Sequence, residues 1–262
     1  MSLRIAVAGK GGTGKSTFVA LLVYHLLREN RVPILAVDAD PNSNLNELLG
    51  LEYKQTVADI REEMRDEKIP VGMTKPDYLE YSVGQVLVES KGLDLLVMGR
   101  PEGQGCYCFV NELLRNYLSR LGKNYYAVIM DNEAGMEHLS RRTTDNLDYL
   151  FILSEPTLVS MRSAVKIYET AKQLKLKIDK IFFILNRTKP NIEKSVEEVM
   201  KKKNLSFLSR IPEDNLIHQF AEQGKNLLDL SAGSLASQAI VEIAKKIINT
   251  PHPDPLPFRG ED

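Results

Sequence analysis

Gly9-Lys10-Gly11-Gly12-Thr13-Gly14-Lys15-Ser16-Thr17 is the stretch on which the reading of the fold turns. Its spacing fits G-x-x-x-x-G-K-[ST], where glycines let backbone N–H groups approach phosphate oxygens at the positive end of a following helix. In that arrangement Gly11, Gly12, Thr13, Gly14, Lys15, Ser16 and Thr17 surround nucleotide phosphates. Lys15 lies along the β- and γ-phosphates, and the Ser16 hydroxyl binds Mg²⁺. The flanks agree: Leu3-Arg4-Ile5-Ala6-Val7-Ala8 is an apolar run expected as a buried strand, and 18–27 carries helical apolar spacing. The loop also holds one lysine, Lys10, more than phosphate binding requires.

Outward from the loop the same alternation continues. Further strands are expected at 33–38, 93–98, 126–130, 149–153 and 181–185, with a short one at 206–208. Helical patterns run through the segment ending at Leu48 and over 110–121, 158–174, 192–202 and 237–248. Continuous apolar strands between amphipathic helices predict an α/β fold: a single-domain P-loop NTPase with a mostly parallel sheet covered by helices on both faces. The domain is expected over 1–249. Residues 250–262 open with four prolines in eight residues and are expected to be a disordered tail. The charged stretch 52–89 shows no assignable pattern and reads as an insertion or flap.

The chain has 262 residues, 43% hydrophobic and 26% charged, which excludes collagen-like and disordered classes. A net charge of −1 supplies no global basic field, so no nucleic-acid partner is expected. No cleavable apolar segment precedes the first strand and no apolar run reaches the length of a membrane span, so a cytoplasmic protein without a membrane partner is expected.

A parallel sheet binds ligands at the carboxyl ends of its strands, where Asp38, Asp40 and Asp131 fall. Asp131 ends the 126–130 strand as a Walker-B acid does. Ser16, Asp38 and Asp131 form the candidate magnesium set, directly or through water. Asp40 is placed to orient the attacking water, while Asp38 also suits support of its own loop; helix capping is the alternative for either.

Lys10 with Lys15, Asp38-Ala39-Asp40-Pro41, Asp131-Asn132-Glu133-Ala134-Gly135-Met136-Glu137 and Leu185-Asn186-Arg187 together resemble the deviant Walker A ATPases. That group contains the MinD and ParA partitioning proteins and the nitrogenase iron protein. The resemblance runs over about 3–248. It implies hydrolysis of ATP to ADP and phosphate by a homodimer in which Lys10 reaches the partner's phosphates, so Lys10, Lys15 and Asp40 are its catalytic residues. It also implies that Asn186 reads the adenine edge, with Arg187 beside it, and that Pro212, in Ile211-Pro212-Glu213-Asp214, sits against the base or ribose. Leu185-Asn186-Arg187-Thr188 lacks the Asn-Lys-x-Asp pattern of guanine-specific GTPases, which favours ATP.

Two cysteines occur, Cys106 and Cys108. One intervening residue strains a disulfide between them, so they read as thiols kept for a metal. A pair of thiols supplies half of a four-sulfur site, and a two-fold axis would complete it with the partner's pair. Tetrahedral ligation suits Zn²⁺ and square-planar ligation suits Ni²⁺. Gly105-Cys106-Tyr107-Cys108, followed by Met130-Asp131 and Ala134-Gly135-x-Glu137-His138-Leu139, resembles the CooC type of accessory ATPase. These handle nickel for carbon monoxide dehydrogenase, and the related AcsF type serves acetyl-CoA synthase. The resemblance implies such a client enzyme as partner. His138, seven residues after Asp131, is read as a histidine of the surface or of the surroundings of the site rather than a ligand, and His25 as structural.

Two other functions remain open on the sequence. A MinD-like protein needs a basic amphipathic terminal helix, whereas this chain ends in prolines and acids. A ParA-like partitioning ATPase leaves the Cys-x-Cys without a task. An iron–sulfur electron-transfer ATPase would need a cluster on four thiols, and the segment 132–138 lacks the second cysteine of the nitrogenase iron protein.

Overall fold

The computed structural model describes residues 2–65, 69–100, 116–133, 146–173, 177–190, 196, 198–199, 201, 205–230 and 233–248. Among them is one eight-stranded sheet of order β3-β4-β2-β5-β1-β6-β7-β8. The strands are β1 (Leu3–Gly9), β2 (Ile34–Ala39), β3 (Val88–Ser90), β4 (Leu93–Val97), β5 (Ala127–Asn132), β6 (Asn146–Ser154), β7 (Lys177–Thr188) and β8 (Phe207–Pro212). All neighbours pair in parallel except β3 and β4. The expected α/β architecture is therefore the one observed.

Side chains alternate across the pleat, so one strand feeds two cores. In β1, Leu3, Ile5 and Val7 join one cluster, and Ala6 and Ala8 join the other. In β6, Tyr149, Phe151 and Leu153 go to the first and Leu150 and Ile152 to the second. Burial on both faces is why these strands lack a polar side in the sequence.

Helix α1 (Lys15–Arg28) is buried along most of its length because it lies between the sheet and other helices. It packs on β1 and β5, on α2 (Leu45–Leu49) and on the helix Leu235–Ile248. Phe18 meets Phe151 edge to face at 5.5 Å, an anchor whose burial contributes about 1.5–3 kcal/mol. This contact fixes the first turn of α1, and with it the phosphate loop, against β6.

The stretch 52–89 is not a flap. It forms α3 (Val57–Arg65) and α4 (Lys75–Val86), then the edge strand β3. Val57, Ile60 and Met64 of α3 and Leu79, Val83 and Val86 of α4 are buried in the second core. Thr74 caps α4 by accepting from the Asp77 N–H. A helix Asn215–Glu222, also unforeseen, follows β8 with Asp214 as its cap. Among the described residues no helix is long and apolar enough to cross a membrane. Residues 116–121 are helical as expected, while 110–115, most of 192–202 and the tail from 250 lie outside the described residues.

Candidate functional site

Strand register brings the site together. Val7 of β1 stands opposite Asp131 of β5, and Asp131 stands opposite Asp38 of β2. Because β1 sits between β5 and β6, its loop emerges beside Asp131 at the carboxyl edge, where open α/β sheets bind ligands.

The loop from Gly9 to Gly14 is shaped internally. Thr13 donates twice to the Lys10 carbonyl, from its N–H at 3.2 Å and its hydroxyl at 2.8 Å. Gly14 caps α1 at φ 85°, and a Cβ there would collide with Asn186 Nδ2. At Gly9 a Cβ would lie 2.6 Å from the Leu153 carbonyl oxygen, so the loop leaves the sheet against bare backbone. The first-turn N–H groups of α1 have no helical carbonyl to bond, which leaves them for an anion. Lys15 is buried, whereas Lys10, Gly11 and Gly12 are exposed.

Asp131 is completely buried, and neither carboxylate oxygen has a hydrogen-bond partner among the described residues. Burial pushes its carboxyl up to about 7; the nearby Ser16 hydroxyl and Lys15 ammonium oppose the rise, and the charges of Asp38 and Asp40 add to it. An orphaned buried carboxylate beside the Ser16 hydroxyl is a donor set suited to a hard divalent cation such as Mg²⁺. Asn132, next in sequence, donates to the Val7 carbonyl at 3.0 Å, tying β5 to the strand that carries the loop.

Asp38 is equally buried, but its oxygens are engaged: one accepts from the Asp40 N–H at 3.1 Å, the other from the Leu45 N–H at 3.0 Å. It thus folds the 38–45 turn back onto the sheet. Burial lifts its carboxyl to about 6, and those two backbone donors limit the rise. Asp40 is half-buried at the head of this turn and accepts from Asn42 through the backbone N–H at 3.0 Å and Nδ2 at 3.1 Å.

The sign of the Asp131 shift sets a prediction. An aspartate of ordinary pKa 3.8 is ionised in the unfolded chain well before it ionises at about 7 in the fold. Nucleotide-free stability therefore falls as pH rises through that interval. Asp131→Asn is expected to raise the Tm in EDTA by roughly 3–8 °C at pH 8 and by little at pH 4.5. Equal shifts at both pH values in thermal denaturation would contradict this reading.

Beside the loop, one cleft is lined by Gly14, Thr17 and Phe18 of α1, Asn186 and Arg187 of β7, Pro212 of β8, and Ile217 and His218 beyond it. Asn186, Arg187 and Pro212, far apart in sequence, are thus brought to the loop together. Asn186 Nδ2 donates to the Thr13 carbonyl at 2.8 Å, and its Oδ1 accepts from the Arg187 N–H at 2.9 Å. One amide hydrogen and one lone pair remain for a base. Asp214 also lines the cleft and accepts from the Leu216 N–H at 2.9 Å, Ser234 Oγ at 2.7 Å and the Ala236 N–H at 2.9 Å. Those donors hold its carboxyl below the usual range, although burial acts the other way and is the largest single influence.

Glu155 and His218 were not foreseen as site residues. Asp214 was named only as part of the turn after Pro212, and neither its capping of the helix Asn215–Glu222 nor its reach to Ser234 and Ala236 was foreseen. Cys106, Cys108 and His138 lie outside the described residues, and the described residues contain no cluster of three or more His, Cys, Asp or Glu side chains placed to hold a metal.

A glycine loop between a parallel strand and a buried helix, with a neighbouring strand-end carboxylate, defines a P-loop nucleotide hydrolase. Residues 5–228 match the family described as CobQ/CobB/MinD/ParA nucleotide binding domain. The chain belongs to this family and is an ATPase of the ParA/MinD class. It is 43% identical over 249 residues to an uncharacterized ATP-binding protein of Methanocaldococcus jannaschii, covering 94% of this chain and 98% of that one. It is 30% identical over 243 residues to the carbon monoxide dehydrogenase accessory protein CooC of Rhodospirillum rubrum, covering 87% and 90%. The MinD cell division protein of Aquifex aeolicus shares the fold, with a TM-score of 0.71 at 23% identity over 96% of this chain and 99% of that chain.

Proposed function

We propose that the protein is a maturation ATPase that delivers a metal, nickel or zinc, to a client enzyme such as carbon monoxide dehydrogenase or acetyl-CoA synthase. Two chains pair face to face around ATP as in the deviant Walker A ATPases. The metal is cargo, held between them by Cys106 and Cys108 of each chain. The observation that carries this reading is the similarity to CooC over 87% of the chain, in a sequence whose two cysteines stand as Cys106-Tyr107-Cys108.

In this reading Lys15 and the first-turn amides of α1 take the phosphates, and Ser16 with Asp131 would hold Mg²⁺. When bound, that cation neutralises charge developing on the phosphates. Asp40 orients the attacking water, and Asp38 keeps Asp40 at the sheet edge through the 38–45 turn. Lys10, on the exposed side of the loop, is free to meet a partner's phosphates, which links hydrolysis to pairing. Opening after hydrolysis would separate the two cysteine pairs and release the metal, which couples the two sites.

The test is reconstitution. Nickel-free client enzyme incubated with Ni²⁺ and ATP should gain activity faster with this protein present, and a non-hydrolysable ATP analogue should remove the acceleration. Equal activation without the protein would contradict the delivery function. ATP-dependent DNA binding that weakens between low and high salt would support a partitioning ATPase instead.

A further inference from the structure

Asn186 and Arg187 are consecutive residues, and both hold the phosphate loop. Asn186 Nδ2 donates to the Thr13 carbonyl at 2.8 Å, and Arg187 Nη1 donates to the Gly12 carbonyl at 3.0 Å. In an extended strand, neighbouring side chains point to opposite faces and only one would reach the loop. Here Arg187 has φ 53°, in the left-handed region, and the pairing of β7 with β8 slips between Leu185 and Thr188. That kink at the strand end turns both side chains onto one target. A long side chain in this backbone region is strained, and such strain persists where the surroundings enforce it.

What enforces it is Glu155, at the end of the neighbouring strand. Its Oε1 pairs with Arg187 Nη1 at 2.9 Å. Glu155 is itself fixed through its backbone: its N–H donates to Ser160 Oγ at 3.0 Å, and its carbonyl accepts from Ser154 Oγ at 2.9 Å and from the Thr157 N–H at 2.8 Å. The ends of β6 and β7 are thereby linked to the loop that follows β1.

We propose that Glu155, Asn186 and Arg187 form a brace that sets the shape of the phosphate loop before nucleotide arrives, with Glu155 acting as a positioning residue through Arg187. The peptide bond is planar and trans, so a carbonyl held one way sends the next N–H the other way. Holding the Thr13 carbonyl toward Asn186 directs the Gly14 N–H into the loop's concavity. Holding the Gly12 carbonyl toward Arg187 directs the Thr13 N–H to its bond with the Lys10 carbonyl at 3.2 Å. The brace therefore presents a phosphate-facing amide and fixes the base of Lys10 together. Arg187 serves the loop from its carbonyl side, as a holder of backbone.

The proposal rests on ATP binding at this loop and is independent of the metal. The experiment measures the Kd of the ATP analogue ATPγS, in EDTA-washed protein with Mg²⁺ restored, for wild type, Glu155→Gln, Arg187→Ala and the double variant. Steady-state kinetics accompany each. Glu155→Gln is expected to raise both Kd and the KM for ATP about 3-fold with kcat within about 2-fold, and Arg187→Ala to raise them about 10-fold. The double variant should match Arg187→Ala alone, because Glu155 acts only through Arg187. High salt should erode wild-type affinity more than that of Glu155→Gln. Since Glu155 is partly exposed, its glutamine variant folds, and its Kd decides the matter. An unchanged Kd in Glu155→Gln, or single effects that multiply in the double variant, would overturn the brace.

Discussion

A Lys10→Ala variant is expected to bind ATP with near-normal affinity yet lose ATP-dependent pairing of chains, with turnover lower by about 10²–10³-fold. That is at or below the scale of a cation supplied in trans to phosphoryl transfer. The argument separates the two lysines of the loop. Lys15 is buried at the head of α1, where its charge acts on the buried Asp131. Lys10 is exposed, and the loop uses its backbone, since its carbonyl accepts both Thr13 bonds. Truncating Lys10 therefore leaves the loop's shape intact and removes only what the side chain does for a second chain. Sedimentation with a non-hydrolysable ATP analogue reads the pairing and phosphate release reads the rate. Wild-type turnover in the variant would remove the trans role.

Much of this site was visible in the sequence because its parts are local. The glycine spacing, the two lysines and Ser16 occupy nine consecutive residues. The strands that flank the loop are unbroken apolar runs, such as Leu150-Phe151-Ile152, which only a sheet covered on both faces accommodates. The acids at strand ends were legible for the same reason, since Asp38 and Asp131 each close such a run.

What the sequence hid depends on distance or on weak pattern. Helix α3 presents apolar residues at Val57, Ala58, Ile60 and Met64 among charges, a narrow stripe that sequence reading passed over as irregular. Strand β3, Val88-Glu89-Ser90, is an exposed edge and has no buried face to announce it. Glu155 meets Arg187 across 32 residues and only because Arg187 adopts a left-handed conformation, which no composition or spacing reveals. For Asp38 the residue was legible, but the engagement of both its oxygens by backbone amides follows from the path of the 38–45 turn.

The second large effect concerns the cysteines. Replacing both thiols, Cys106→Ser with Cys108→Ser, is expected to abolish stoichiometric Ni²⁺ or Zn²⁺ binding, because serine hydroxyls are poor ligands for either ion beside thiolates. ATP binding should persist, since Lys15 and the cleft that Asn186 lines are built from other segments. If two chains share one site, the stoichiometry must be one metal per pair, and an ATP analogue that holds the pair closed should retain it.

The most direct measurement is native mass spectrometry of the wild-type chain and this double variant, each with Ni²⁺ or Zn²⁺ and a non-hydrolysable ATP analogue. The account predicts a wild-type dimer carrying one metal ion and two nucleotides, and a variant that carries nucleotide without metal. A variant that keeps metal at the wild-type stoichiometry, or a wild-type dimer that binds none, would contradict it.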